Sequence, residues 1–291
     1  MSDGKKDIDS VSGTETTGHE WDGIKELNTP LPRWWLGLFY ACIAFAVGYW
    51  ILMPAWPVGH SYTHGLLNHS ERDDAMAAVQ ALKDARAAKE RELTHASLAQ
   101  IQANSDLLQF AQAEGKAAFG DNCAPCHGAG GQGAHGYPNL NDDVWLWGGK
   151  LDDIQHTITV GVRSTSPDTR QSQMPSFGRD GILKPGDIDD LTQYVLHLRG
   201  RPADAAAVKR ATKLFADNCA SCHGAEGQGN RSFGAPNLTI HEGWLYGPRP
   251  EDIHDQIWNG HGGVMPTWGG RLSPETIKSL AIYVHSLGGG E

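Results

Sequence analysis

Two stretches repeat one arrangement of reactive side chains: "DNCAPCHGAGGQG", carrying Cys123, Cys126 and His127, and "DNCASCHGAEGQG", carrying Cys219, Cys222 and His223. On a short helix, cysteines spaced Cys-x-x-Cys lie on neighbouring sides of one turn. Their thiols can there add to the two vinyl groups of a single haem, and the histidine that follows is aimed at the iron as an axial ligand. Glycines after each motif let the backbone fold close to a flat macrocycle, where side chains would collide. The expectation is two haem c groups, one per motif, bound covalently through Cys123, Cys126, Cys219 and Cys222.

A second axial ligand is needed for each iron. Of the five methionines, Met1 starts the chain, Met53 lies in an apolar run and Met76 in helix-forming sequence. Met174 and Met265 remain, one per repeat and each followed by proline. Histidine–methionine ligation is the cytochrome c pattern and raises the reduction potential. The expected axial ligands are therefore His127, Met174, His223 and Met265, with Met174 completing the first haem and Met265 the second. His261, just before Met265, is the competing ligand there. His135, His156, His197, His241, His254 and His285 read as surface or hydrogen-bonded polar residues, and Trp145, Trp147, Trp244 and Tyr246 equally as pocket walls or as ordinary core packing.

Other chemistries fit these residues less well. Structural zinc closes its ligands within a short finger or ribbon and has no use for two matched methionines. A thioredoxin-like pair belongs in a βαβ pattern, which surrounds neither motif. The run Gly131 to Gly136 satisfies G-x-G-x-x-G, but a dinucleotide fingerprint is meaningful only between a strand and a helix.

The elements that hold these residues are themselves repeated. Phe119, Asn122 and Gln132 recur as Phe215, Asn218 and Gln228, Trp145-Leu146 as Trp244-Leu245, and Asp153-Ile154 as Asp252-Ile253. Each copy ends in a helical stretch, "DIDDLTQYVLHL" and "SPETIKSLAIYVHSL". Two tandem domains are expected, at residues 109–200 and 201–291, in a mainly α chain.

Upstream, "WWLGLFYACIAFAVGYWILM" is a chargeless run from Trp34 to Met53. As a helix it spans about 30 Å, the thickness of a bilayer core. Aromatics gather at both ends as interfacial belts do, and Cys42 is a small apolar residue inside. A membrane anchor is expected over residues 34–56. Within twenty residues of the span, Lys25 and Arg33 before it, against Arg72 alone after it, put the amino terminus in the cytoplasm by the positive-inside rule. Residues 1–33, polar and mixed in charge, are expected to be disordered or weakly structured. Residues 57–108 form a linker with a helical spacer, and the proline-free stretch 71–118 predicts one helix. The net charge of −10 gives no basic face for nucleic acid and suits either docking to a basic protein partner or solubility alone.

With the "NTPLPRWW" entry to the anchor, the two haem motifs and the loop "GVRSTSPDTRQSQMPSFG", the chain resembles the membrane-anchored dihaem subunit III, the FixP/CcoP family, of cbb3-type cytochrome c oxidases. The resemblance spans almost the whole chain. It implies a membrane anchor, two spans in some members and read here as a single N-terminal transmembrane helix, followed by two tandem cytochrome c domains, in the inner membrane of a bacterium with the haem domains in the periplasm. It implies electron transfer from a donor cytochrome c through both haems, towards a monohaem cytochrome c subunit and the catalytic haem-copper subunit that reduces oxygen to water. The chain itself would be a non-catalytic subunit, with no oxygen-reducing site. Two other readings remain at this point: a membrane-anchored dihaem carrier for a dehydrogenase or another reductase, and a dihaem peroxidase.

Overall fold

A computed structural model describes residues 7–291, in two compact units that divide after Lys83. In the first unit, β1 (Thr16–Trp21) and β2 (Ile24–Leu27) form an antiparallel hairpin where weak structure was expected. The reason is the Asp22-Gly23 turn. Both residues have positive φ, 50° and 83°, the backbone a tight two-residue hairpin demands.

The anchor follows as α1 (Arg33–Leu52), a twenty-residue helix with no buried side chain. Among the described residues it is the one helix long and apolar enough to cross a membrane. It ends before Trp56, which folds back so that its ring lies 5.0 Å from that of Trp50. A small hairpin of β3 (Pro57–Val58) and β4 (Ser61–Tyr62) then returns the chain to the end of α1. There the N–H groups of Leu66 and Leu67 donate to the carbonyls of Ile51 and Leu52 at 2.9 and 3.0 Å. Those carbonyls would otherwise be orphans of the helix end.

The expected single helix over 71–118 is three: α2 (Glu71–His95), α3 (Leu98–Ala103) and α4 (Ser105–Asn122). Two caps cut it. Ser97 and Gln100 form a capping box, and the side chain of Asn104 accepts from the N–H groups of Asp106 and Leu107. Leu93, Leu98, Ile101 and Leu107 are buried together with Ile282, whereas Met76, Val79 and Leu82 are exposed.

In the second unit each repeat contributes four helices. The first gives α4, α5 (Ala124–His127), α6 (Leu151–Val160) and α7 (Pro185–Leu198). The second gives α8 (Ala205–Asn218), α9 (Ala220–His223), α10 (Pro250–Asn259) and α11 (Pro274–His285). The expected division at residue 200 would keep α7 with α4 and α11 with α8. Packing follows a different line, because α11 lies against α4 and α6 while α7 lies against α8 and α10.

One core therefore joins Phe119, Ile154 and Ile158 to Trp268, Ile277, Leu280 and Val284. The other joins Phe177, Ile188, Leu191 and Val195 to Ala211, Phe215, Ile253 and Ile257. The two repeats have exchanged their final helices. Sequence similarity makes either final helix fit either partner, and the short connection 199–204 favours α7 folding straight back on α8, since closing a short loop costs little entropy.

Candidate haem site

Each Cys-x-x-Cys-His motif sits on a single helical turn, α5 or α9, capped by Cys123 or Cys219 and ended by Gly128 or Gly224. Gly128 has φ 81° and Gly224 φ 80°, so the chain can double back. The N–H of Gly133 then returns to the carbonyl of His127 at 2.7 Å, and that of Gly229 to His223 at 2.7 Å.

The two histidines are oriented alike. Nδ1 of His127 lies 3.0 Å from the carbonyl oxygen of Pro138, and Nδ1 of His223 lies 3.0 Å from that of Pro236. A carbonyl only accepts, so Nδ1 carries the proton and Nε2 keeps its lone pair for a metal. Burial pushes both imidazoles below their ordinary pKa, which keeps them neutral at neutral pH.

Burial also pushes the Cys123 and Cys219 thiols up to about 11, and the neighbouring Cys126 or Cys222 adds to the effect. A site that disfavours thiolate suits a neutral thioether. Cys126 and Cys222 are exposed and Cys123 and Cys219 partly buried. Among the described residues no three His, Cys, Asp or Glu side chains converge as a metal site. One exposed and one half-buried cysteine, with an oriented neutral histidine, fit a c-type haem.

The methionines stand across the exchange. Met265 packs with Cys123 and Ala124 on the core of Phe119, and Met174 packs with Cys219 and Ala220 on the core of Phe215. The expected grouping of Met174 with the first motif and Met265 with the second is thus reversed, because each Met-Pro loop crosses with the helix that follows it.

Matched hydrogen bonds hold both crossings. After Met265, the N–H groups of Trp268 and Gly269 donate to Ile158 and Thr159 at the end of α6, at 3.2 and 2.9 Å. After Met174, those of Phe177 and Gly178 donate to Ile257 and Trp258 at the end of α10, both at 3.2 Å. Val162 and Met265 exchange both backbone hydrogen bonds at 3.0 Å, and Arg163 Nε donates to the Gly263 carbonyl at 2.6 Å. Gly161 and Gly260 end α6 and α10 with φ 73° and 63°. A Cβ on either would stand 2.5 Å from the carbonyl oxygen of Met265 or Met174 respectively.

His261 is otherwise engaged: its Nε2 lies 2.6 Å from Asp255 Oδ2 and its ring stacks on Tyr246. Of the expected pocket walls, Trp145 and Trp244 spend their indole N–H on the carbonyls of Gly289 and Ile240. Arg170 lies over Trp147, and Tyr246 accepts from the Gly263 N–H. Sequence reasoning missed Gln256, whose amide reaches the Met174 sulfur at 3.5 Å.

Three family descriptions match the chain: "N-terminal domain of cytochrome oxidase-cbb3, FixP" over residues 13–60, "Cytochrome c" over 112–199, and "Cytochrome C oxidase, cbb3-type, subunit III" over 206–284. The chain is 54% identical to the cbb3-type cytochrome c oxidase subunit FixP of Bradyrhizobium sp. (strain ORS 278), covering 98% of each chain. It is 50% identical to subunit CcoP of Azospirillum brasilense, covering 99% of each, and 48% identical to subunit FixP of Rhizobium meliloti (strain 1021), covering 100% of each.

Proposed function

Because the chain belongs to the FixP/CcoP family of cbb3-type cytochrome c oxidase subunits, and is thereby a membrane-anchored electron-transfer subunit that binds c-type haem, we propose the following assignment of its parts. It carries two haems, one bonded to Cys123 and Cys126, the other to Cys219 and Cys222. His127 and Met265 are the axial ligands of the first, and His223 and Met174 those of the second. When bound, each haem supplies an iron that cycles between ferrous and ferric states and so carries one electron.

The residues of the chain do the rest. Pro138 and Pro236 fix the imidazole tautomer and turn Nε2 towards the metal position. The buried cores around Phe119 and Phe215 keep water from the sulfur side, which favours the less charged ferrous state. Two methionine-capped irons would leave no open position for peroxide, so relay is favoured over peroxidase chemistry.

The proposed partners are a donor cytochrome c, the monohaem cytochrome c subunit and the catalytic haem-copper subunit. The proposed orientation has the amino terminus in the cytoplasm and the haem domains in the periplasm, supported by Lys25 ahead of α1 and Arg33 at its first position. The observation that carries the haem assignment is the matched pair of histidine clamps, each sharing a core with a methionine.

Purification from membranes in mild detergent tests the oxidase role. The chain is expected to bring b-type haem, copper and oxygen-reducing activity with it. A dihaem chain that came away alone would point to the free-standing carrier instead.

A further inference from the structure

Two lobes, α4 to α6 with α11 and α8 to α10 with α7, each bring one haem motif to one methionine, and they differ beside that methionine. In the second lobe, Gln256 on α10 places Nε2 3.5 Å from Sδ of Met174 and 3.1 Å from the carbonyl oxygen of His261. Both neighbours are acceptors, so the nitrogen of the amide, and not its oxygen, faces the sulfur. Oε1 is buried and has no hydrogen-bond partner among the described residues. The side chain thus leaves its acceptor unpaired while both its donor contacts are made.

The repeat puts Thr157 at the matching place in the first lobe, since Asp153-Ile154 and Ile158 correspond to Asp252-Ile253 and Ile257. The Thr157 hydroxyl is committed elsewhere: it donates to the carbonyl of Asp153 at 2.8 Å and accepts from Arg170 Nε at 2.9 Å. A threonine is also too short to offer what a glutamine does. One methionine sulfur has an amide donor, supplied by a residue whose counterpart in the other lobe is engaged with backbone and arginine.

We propose that Gln256 is a positioning residue that acts through Met174 to raise the reduction potential of the second-lobe haem above the value its ligands alone would give. An N–H directed at a thioether draws electron density from the lone pairs that the sulfur offers to iron. Ferric iron, the more electron-poor state, loses more from that withdrawal than ferrous iron, so the ferrous state gains. The same donor holds the sulfur in one orientation, because Nε2 is itself fixed by the His261 carbonyl. One side chain thereby shifts the second-lobe haem, and not the first, in the direction that favours holding an electron there. The inference rests on the reading of Met174 as the ligand opposite His223.

The test is a spectroscopic redox titration of the full-length, haem-loaded protein in detergent, comparing wild type with Q256L, Q256E and M174L, alongside the sulfur-to-iron absorption band of the ferric form. Q256L is expected to lower the potential of one haem by the equivalent of about a threefold to tenfold change in its reduction equilibrium. Tenfold is about 59 mV for a one-electron couple. The other haem should stay put and the sulfur band should persist. Q256E restores a neutral donor while its carboxyl is protonated, so at low pH its potential should return towards wild type and lie above that of Q256L; a packing role would leave the two variants alike. M174L should abolish sulfur ligation at that same haem. If M174L leaves the sulfur band at full strength, Met174 is no ligand and both readings fall. If M174L removes its share of the band while Q256L moves neither potential, the role of Gln256 alone is overturned.

Discussion

The rings of Phe119 and Tyr283 pack with centroids 5.4 Å apart, joining the first helix of one repeat to the last helix of the other. Phe215 and Tyr194 make the reciprocal contact at 4.9 Å. At the first crossing the backbones come so close that a Cβ on Gly115 would stand 2.1 Å from the carbonyl oxygen of Ser279. Neither lobe is complete within its own repeat.

A chain stopped after residue 200 is the direct check. It keeps the first Cys-x-x-Cys-His motif but loses α11 and Met265, so the buried face of Phe119 has no partner. The expected outcome is a product without a stable, sulfur-ligated haem, read from its ferric spectrum and protease resistance. A truncated chain with an intact low-spin spectrum would show that the first repeat closes on itself. In the full chain, Phe119→Ala should cost about 3–5 kcal/mol, the usual penalty for emptying a buried aromatic site.

Gly260 offers a finer probe of the same crossing. Its φ of 63° and its 2.5 Å Cβ approach to the Met174 carbonyl make alanine strained on two counts. Gly260→Ala is expected to displace Met174, although the substitution lies in the other repeat. Carbon monoxide should then bind rapidly to about half of the ferrous haem. Binding no faster than in wild type would mean that the loop tolerates the methyl group.

What the sequence made legible were features settled by local chemistry. The Cys-x-x-Cys-His motifs, the two Met-Pro pairs and the chargeless run before Met53 each carry their meaning within a few residues. The exchange of α7 and α11 was not legible, because a repeat that resembles its neighbour carries no mark of which copy it packs against. Two smaller misses had signals in plain sight. Asp22-Gly23 is a hairpin turn, and Ser97 with Gln100 is a helix start, yet both lay inside stretches read by overall composition. Gln256 had no such signal, since its role exists only once Met174 arrives from the other repeat.

Acid should loosen the tie between α7 and α8. Arg210 donates to Asp190 through Nε at 2.7 Å and Nη2 at 2.6 Å, and these hydrogen bonds hold the Asp190 carboxyl below its ordinary range. A depressed carboxylate pKa stabilises the fold above the unfolded value, about 3.9, and that contribution is lost as pH falls through the folded value. The difference in thermal midpoint between wild type and Asp190→Asn should therefore be present at neutral pH and shrink below about pH 4. A gap that persisted unchanged at low pH would assign the effect to packing.

Lys278 ties the end of α2 to α11. Its Nζ donates to the carbonyls of Leu93, Thr94 and Ala96 at 3.0, 2.8 and 2.7 Å, meeting the negative end of the helix dipole. Lys278→Met keeps most of the apolar stem and removes the charge. Faster amide exchange is expected at the end of α2, with a loss of roughly 1–2 kcal/mol. Unchanged exchange there would mean that water replaces the lysine without cost.

The return of the chain to the end of α1 sets the depth of two leucines. Leu66 and Leu67 are 77% and 62% exposed, and their N–H groups are bonded to the last carbonyls of the anchor. In lipid an unpaired carbonyl costs several kcal/mol, so this pairing is expected to let the helix end sit below the headgroups and to carry both leucines down with it. In full-length protein reconstituted into vesicles, on a Cys42→Ala background, Leu66→Cys should react slowly with a membrane-impermeant maleimide. His60→Cys, at the turn between β3 and β4, should react quickly. Equal rates at the two positions would place the leucines in water and leave the returning loop as a cap for the helix alone.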